Sequence, residues 1–536
     1  MIAAPTLRPY QEQAITAVRA RFLAGDRATL IVLPTGTGKT VVFAEIARLT
    51  VARGHRALVL AHRTELLEQA LAKLRAVGVD AAIEQADRRG GAAAVVVASV
   101  QTLRGDRLSS WPADAFDLVI IDEAHHATAA TYRAIVDRFE TARVLGVTAT
   151  PDRGDGKGLG PIFQSVAFTY GLGDAIRAGF LAPIRAQRIN LDLDLDAVKT
   201  TAGDLDQQQL GVLMTAPAVI EATSRALVDS AGTRPTIAFT VTVHHAQLLA
   251  DACHDLKPGS ARAVSGKSTP EERAAAAADL AAGRVQIVAN AALWTEGFDC
   301  PPVACIAIAR PTKSRALFTQ MVGRGTRPSP ATGKTNLLVL DFAGLTRRHK
   351  LVSTIDVLLG TGLTDEERRR VLEATEQDPA DLEAELLAVR AQLAAAQRAP
   401  TIRWMREECG DLLGLDVDPA LFGPGLAPVS EVSRVELAAR GIVAPPGLSD
   451  LAASAIIAAS NDRSRRNLAT FKMVRFMSKT LGVPLDLART LTFPEAGRVI
   501  GELKSRIGHY AALAEARTRV LAELSYARAT GGRRAS

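Results

Sequence analysis

The chain has 536 residues, 48% apolar and 23% charged, enough for three to four domains at ~150 residues each and for several buried cores. Its 41 Gly and 25 Pro are an average share, which excludes a collagen-like or Pro/Gly-rich disordered chain. No apolar run approaches the ~18 residues that span a bilayer, and residues 1–5 lack a basic stretch leading into an apolar one, so a cytoplasmic protein without membrane contact is expected. The four cysteines, Cys253, Cys300, Cys305 and Cys409, include no C-x₂-C pair. No zinc site or disulfide framework is expected from them, and the thiols suit a reducing compartment. Net charge is +7, unevenly placed: residues 461–536 hold 15 Arg and Lys against 6 Asp and Glu, while the first 460 residues sum to −2. Such clustering marks a candidate polyanion contact.

In chain order, apolar runs at 28–33, 57–61, 94–100, 118–122 and 144–149 form one set of predicted strands. A second set follows at 236–240, 261–265, 285–290, 305–310 and 336–341. Continuous apolar strands spaced by helices predict parallel sheets covered on both faces, hence two α/β domains in tandem. The stretch 190–215, with Asp192, Asp194, Asp196 and three glutamines, separates them. Beyond 351 the strand signal fades. Residues 364–398 predict one helix capped by Thr364, either an arm or a bundle member. Residues 410–450 read as loop, 464–526 as helical, and 531–534 as a frayed tail. Arg463, Arg465, Arg466, Lys472, Arg475 and Lys479 have spacings that let several share one helix face and line a phosphate row. Arg347, Arg348, His349 and Lys350 are either a solvated helix end or a phosphate contact.

Pro34-Thr35-Gly36-Thr37-Gly38-Lys39-Thr40 leaves a predicted strand and opens a predicted helix, the context a phosphate-binding loop needs. Backbone N–H groups of Thr35, Gly36, Thr37 and Gly38 would cradle phosphates of ATP, Lys39 would reach the β/γ oxygens, and Thr40 would hold Mg²⁺. Leu33 stands where the strict pattern has its first glycine. Gly-Lys-Ser/Thr recurs at 266–268 and 333–335, but only Lys39 has a matching downstream acid. That acid is the Asp122-Glu123-Ala124-His125 run ending an apolar strand: Asp122 would hold Mg²⁺ and Glu123 would polarise the attacking water. The pairs His125-His126 and His244-His245 lack the further ligands a metal would need.

The Asp-Glu-Ala-His run after a phosphate loop resembles the superfamily 2 DEAD/DEAH-box helicases, and further signatures stand in that family's order over residues 7–345. Leu7-Arg8-Pro9-Tyr10-Gln11 resembles the element whose glutamine, here Gln11, reads adenine. Ala61-His62-Arg63-Thr64-Glu65-Leu66 and Ser99-Val100-Gln101-Thr102-Leu103 resemble segments that touch the nucleic-acid backbone, implying roles for His62, Arg63, Gln101 and Thr102. Thr148-Ala149-Thr150 resembles the element that couples nucleotide to strand. Residues 295–299 and 320–327 resemble the last two helicase motifs. The resemblance implies catalytic Arg324 and Arg327, nucleotide contacts at Gly297 and Asp299, strand contacts at Thr240 and Thr295, and coupling through His125, Thr148, Thr150 and Gln320.

The wording is similar to the branch of XPB-like and RadD-like helicases and type III restriction motor subunits. RadD-like proteins carry a cysteine-rich zinc module after the motor, which this chain lacks. Residues 469–472 and 491–496 loosely resemble a small helical module appended to phage and bacterial helicases. The resemblance implies an α/β fold class: two tandem RecA-like parallel-sheet domains with an α-helical C-terminal region. The boundaries are 1–185 for the ATP-binding domain, 186–230 for a connector, 231–350 for the second domain, 351–400 for a helical arm and 401–536 for a basic helical domain. It implies an ATP- and Mg²⁺-dependent DNA helicase or translocase of repair, recombination or phage-related DNA metabolism, acting on single-stranded or junction DNA. The alternatives are the motor subunit of a restriction, defence or replication complex with a protein partner, and an RNA helicase.

Overall fold

The computed structural model describes residues 6–127, 130–150, 162–201, 203–291, 293–295, 297–345, 351–359, 363–415, 417–422 and 426–529. Within them the chain divides into two compact units, 1–386 and 387–536. Residues 347–350 and 531–534 lie outside the described residues.

The first unit is built on two sheets. Its first lobe carries β1 (Ala28–Val32), β2 (Ala57–Ala61), β3 (Ala81–Glu84), β4 (Val95–Ser99), β5 (Leu118–Asp122), β6 (Arg143–Thr148) and β7 (Ser165–Thr169). They run parallel in the order β3-β4-β2-β5-β6-β1-β7. β1, β2, β4 and β5 are buried along their whole length, as expected of apolar strands with helices on both faces. Two separate apolar cores, one on each face, hold the sheet. β5 lies two strands from β1, so the carboxyl end of β5 and the loop leaving β1 open onto one crevice.

The second lobe holds β8 (Ile184–Asp194), β11 (Thr236–Thr240), β12 (Ala261–Val264), β13 (Ile287–Asn290), β14 (Cys305–Ala309), β15 (Leu337–Leu345) and β16 (Ala380–Asp381); a small hairpin, β9 (Thr200–Thr201) and β10 (Asp204–Leu205), stands apart. The sheet order is β12-β13-β11-β14-β15-β8-β16, with β16 alone antiparallel. β8 runs into the stretch 190–215 expected to separate the strand sets and occupies the start of the expected connector 186–230. Leu191 and Leu193 are buried in the lobe's core while Asp194 is exposed, so this part of β8 has an apolar face and a polar one. The predicted helix over 364–398 is instead Asp365–Gln377, then β16, then Leu382–Trp404. Pro379 removes a backbone donor and biases Asp378 to extended backbone. Among the described residues no single helix is long and apolar enough to cross a membrane.

The second unit is helical around a core that includes Met405, Leu437, Ile456, Phe471, Val474, Met477, Val499 and Leu524. The two segments that loosely resemble an appended module lie back to back. Leu468 bridges Thr492 antiparallel, Ala469 N donates to Leu491 O at 2.8 Å and Phe493 N to Asn467 O at 2.8 Å. Thr470 and Thr492 then cap the helices Phe471–Lys479 and Phe493–Lys504. The expected run 410–450 contains a helix, Glu431–Ala439, capped by Ser430. Arg463 corrects the expected phosphate row. It is buried, and its guanidinium donates to Ala469 O at 3.0 Å and Arg489 O at 2.8 Å. The helix Asp450–Arg465 ends before the next begins at Phe471, so Arg463 and Lys472 belong to different helices. A charge in the sequence does not reveal that it is spent on carbonyls.

Candidate nucleotide site and nucleic-acid interface

The loop leaving β1 turns through Gly36 at φ 89° and Gly38 at φ 82°, backbone that residues with a side chain rarely adopt. Thr37 closes it, its hydroxyl donating to Pro34 O at 2.7 Å. Tyr10 Oη and Gln11 Nε2 both donate to Thr37 O, at 2.6 and 3.0 Å, and Gln11 Oε1 accepts from Arg8 N at 2.9 Å. Gln11 therefore braces the loop. Tyr10 stacks on Tyr170 with centroids 4.5 Å apart and meets Phe180 edge-on at 5.1 Å. Gly38 caps the helix Lys39–Val51, with Thr40 in its first turn.

Lys39 Nζ donates to Glu123 Oε1 at 2.8 Å, with side chains 9% and 6% exposed. Glu123 leaves β5 in the left-handed region, φ 50° and ψ 54°, a costly conformation that a functional position can hold. It turns its backbone N–H onto Asp122 Oδ1 at 3.0 Å. Asp122, also buried, stands at the carboxyl end of β5. His125 Nδ1 lies 3.4 Å from Glu123 Oε2 and 3.4 Å from Thr148 Oγ1, and its Nε2 is 3.4 Å from Gln320 Nε2 of the second lobe. Thr148 Oγ1 in turn donates to Thr150 O at 2.8 Å.

The second lobe presses directly on the loop. A Cβ built on Gly323 would sit 2.5 Å from Thr35 Cβ, so only glycine allows this approach. Thr326 Oγ1 lies 3.4 Å from Thr35 O. Arg324 donates from Nε to Thr295 O and from Nη1 to Phe298 O, each at 2.9 Å. Arg327 pairs with Asp299, and burial pulls its guanidinium below the usual arginine range. Gly297 O accepts from Gln69 Nε2 of the first lobe. Thus the residues singled out at 35–40, 122–125, 148–150 and 320–327 converge on one seam between lobes.

Of the strand contacts the resemblance implies, His62, Arg63 and Gln101 form one group. Gln101 Nε2 donates to His62 O at 3.0 Å and Arg63 Nη1 to Leu293 O at 3.3 Å. Thr102 follows, half-buried, its N–H on Ser99 O at 2.9 Å. Thr295 is buried against Arg324. Thr240 is fully buried at the end of β11, its hydroxyl donating to Asn290 O at 3.0 Å. In this arrangement Thr240 holds two strands together and presents no hydroxyl to a ligand.

Lys334 of the third Gly-Lys-Ser/Thr triplet cradles no phosphate. Its ammonium, with three N–H donors, lies within hydrogen-bond reach of four carbonyls: Pro301 O at 3.2 Å, Arg327 O at 2.7 Å, Gly325 O and Val303 O. It ties the loop of Arg324 and Arg327 to the end of the preceding segment, and burial pulls its pKa down to about 8. Nothing in its spacing distinguishes it from a surface lysine; the glycine and proline around it do not name its carbonyl partners.

The loop and its acids fit a magnesium-bound nucleotide in donor chemistry. A threonine hydroxyl and a carboxylate are hard oxygen donors. Thr35 Oγ1 is buried without a hydrogen-bond partner, beside a glycine-lined turn. Among the described residues no group of three or more His, Cys, Asp or Glu is placed to hold a metal ion by protein ligands alone.

Residues 4–153 match the family described as type III restriction enzyme, res subunit, and residues 218–329 match the helicase conserved C-terminal domain. The Irc3 protein of Saccharomyces cerevisiae, which carries an ATP-dependent helicase name, is 31% identical over 64% of this chain and 52% of its own length. Its Schizosaccharomyces pombe counterpart, named mitochondrial, is 33% identical over 64% of this chain and 58% of its own. The type I restriction enzyme EcoAI endonuclease subunit of Escherichia coli is 27% identical over 70% of this chain and 50% of its own. The chain thus spans about half the length of the relatives it matches. With both domains matched in tandem over two parallel-sheet lobes, the chain is similar to the superfamily 2 helicases of the type III restriction-like branch.

Proposed function

We propose that the chain is a nucleic-acid-dependent ATPase that moves along or unwinds DNA. The observation that carries this reading is the buried Lys39–Glu123 pair on one lobe, faced across a glycine-tight seam by Arg324 and Arg327 on the other. Lys39 would exchange its carboxylate partner for the β/γ oxygens of ATP, releasing Glu123 to orient the attacking water. Thr40 and Asp122 would hold Mg²⁺, which when bound neutralises phosphate charge. Arg324 and Arg327 would leave Thr295, Phe298 and Asp299 to meet charge developing on the γ-phosphoryl group, a contribution of ~10³–10⁵ in rate for such fingers. Gly297 and Asp299 would sense this exchange, because they hold the same arginines or the facing lobe. Gln11, by bracing Thr37, would report the base to the phosphate loop. Closure and reopening of the seam would then shift the His62, Arg63, Gln101 and Thr102 surface against Thr295 along a strand. Backbone tracking of this kind is tolerant of sequence and sensitive to salt.

A second reading is favoured by one finding: the match to a type I restriction subunit over 70% of the chain. On that reading the motor delivers movement to a partner protein. The test is an ATPase and strand-displacement panel with single-stranded DNA, duplex, forked DNA and RNA. The first reading expects DNA to stimulate hydrolysis and forks to be opened by the chain alone. Stimulation by duplex without displacement would favour the second, and stimulation by RNA alone would make the chain an RNA helicase.

A further inference from the structure

His126, which no motif assignment uses, stands between the strand-facing segment and the hydrolytic acid. Its ring meets that of His62 edge-on with centroids 4.6 Å apart at 67°, and that of His125 at 4.1 Å and 45°. His125 in turn lies 3.4 Å from Glu123 Oε2 and 3.4 Å from Gln320. On the other side, the His62 carbonyl is held by Gln101, which also accepts from Ser99 at 2.8 Å. Three imidazoles therefore form an unbroken packed row from the His62–Gln101 segment to Glu123.

We infer that His126 is a positioning residue: it transmits the placement of His62 on a nucleic-acid backbone to His125, and through His125 to Glu123. The inference rests on the proposed function and adds to it the route by which strand binding raises hydrolysis. Rings in contact transmit displacement because they cannot be pressed closer and lose attraction when parted by less than an ångström. Coordination of a cation by the three rings is not the basis, since no metal-holding group occurs among the described residues. His126 is itself exposed and outside both cores, so its ring is not required for folding. A residue that only capped the short turn Ala124–His126 would act the same whether or not His62 was present; a transmitting ring would not.

The experiment is a double-mutant cycle on the full chain with His62→Ala, His126→Ala and the pair, reading the ratio of DNA-stimulated to basal kcat, with ATP KM and Tm alongside. The inference expects His126→Ala to lower that ratio by roughly two- to thirtyfold, the range of a coupling residue, with KM and Tm near wild type. It expects the double variant to be no worse than the more damaged single, and His126→Phe, which keeps a ring there, to restore most of the ratio. Independent effects of the two single changes, or an unchanged ratio in His126→Ala, would overturn it while leaving the motor reading standing. Absence of DNA stimulation in the wild-type chain would overturn both.

Discussion

At the residue scale, Lys39 and Glu123 are the pair on which the chemistry turns. Removing Lys39 leaves a carboxylate buried without its cation, a change that costs ~3–5 kcal/mol. Lys39→Ala should therefore abolish hydrolysis and also lower the melting temperature, whereas Glu123→Gln should bind ATP, stay folded and hardly turn it over. Calorimetry beside a hydrolysis assay checks both, and wild-type turnover in either would remove the assignment. The loop 34–40 and the acids 122–123 were legible because chemistry demands those residue types at that spacing beside a strand end. The destinations of arginines and lysines were not legible. Arg324 on Thr295 and Phe298, Arg463 on Ala469 and Arg489, and Lys334 on four carbonyls all depend on where distant backbone arrives. Thr240 illustrates the same limit, its hydroxyl spent on a neighbouring strand.

At the scale of elements, strands were read well wherever they are wholly apolar, because burial on both faces leaves a continuous Val, Ile and Ala run. β8 escaped because only one of its faces is apolar, so its aspartates dominated. β16 is two residues long, too short for any periodic signal. Two elements yield measurements. The loop carrying Arg324 and Arg327 is held by Lys334, so Lys334→Ala should lower kcat and cost about 1–3 kcal/mol as its part-buried carbonyl partners lose their donor. A variant with wild-type Tm and kcat would mean the ammonium is incidental.

The helix Val243–Leu256 buries His245 neutral, its Nδ1 accepting from Val241 N at 3.3 Å. Burial, with a smaller push from His244, lowers its pKa from 6.5 to about 4. A folded pKa below the unfolded one means the unfolded chain binds the extra proton between those values. Stability should therefore be whole above pH 6.5 and fall by about 3 kcal/mol as pH drops to about 4. Melting curves across that range should be flatter in His245→Gln; identical pH dependence in both proteins would exclude this histidine as the cause.

At the scale of the whole molecule, every motif of the proposed motor lies in the unit ending at Leu386, and the net +9 of residues 461–536 lies in the other. The fold of the first unit was legible from strand and helix alternation. In the second, residues 464–526 were legible as helical, whereas the nine-residue helix Glu431–Ala439 was hidden in a Gly- and Pro-rich run read as loop; the boundary at Leu387 falls inside the helix Leu382–Trp404. Truncation after Leu386 is expected to keep basal ATPase and to weaken DNA binding. For every phosphate that the removed unit neutralises, the plot of log-affinity against log-salt should flatten by about 0.7 on single strands or 0.9 on duplex. An unchanged slope in the folded truncation would make the basic unit mere surface.

The composite site itself is tested most directly by Arg327→Ala, assayed for DNA-stimulated kcat and, separately, for ATP dissociation constant. If the second lobe completes the site only as hydrolysis proceeds, kcat should fall by ~10³-fold or more while the dissociation constant barely moves. A variant that turns over at the wild-type rate once saturated, with only its affinity for ATP reduced, would contradict a site shared between the two lobes.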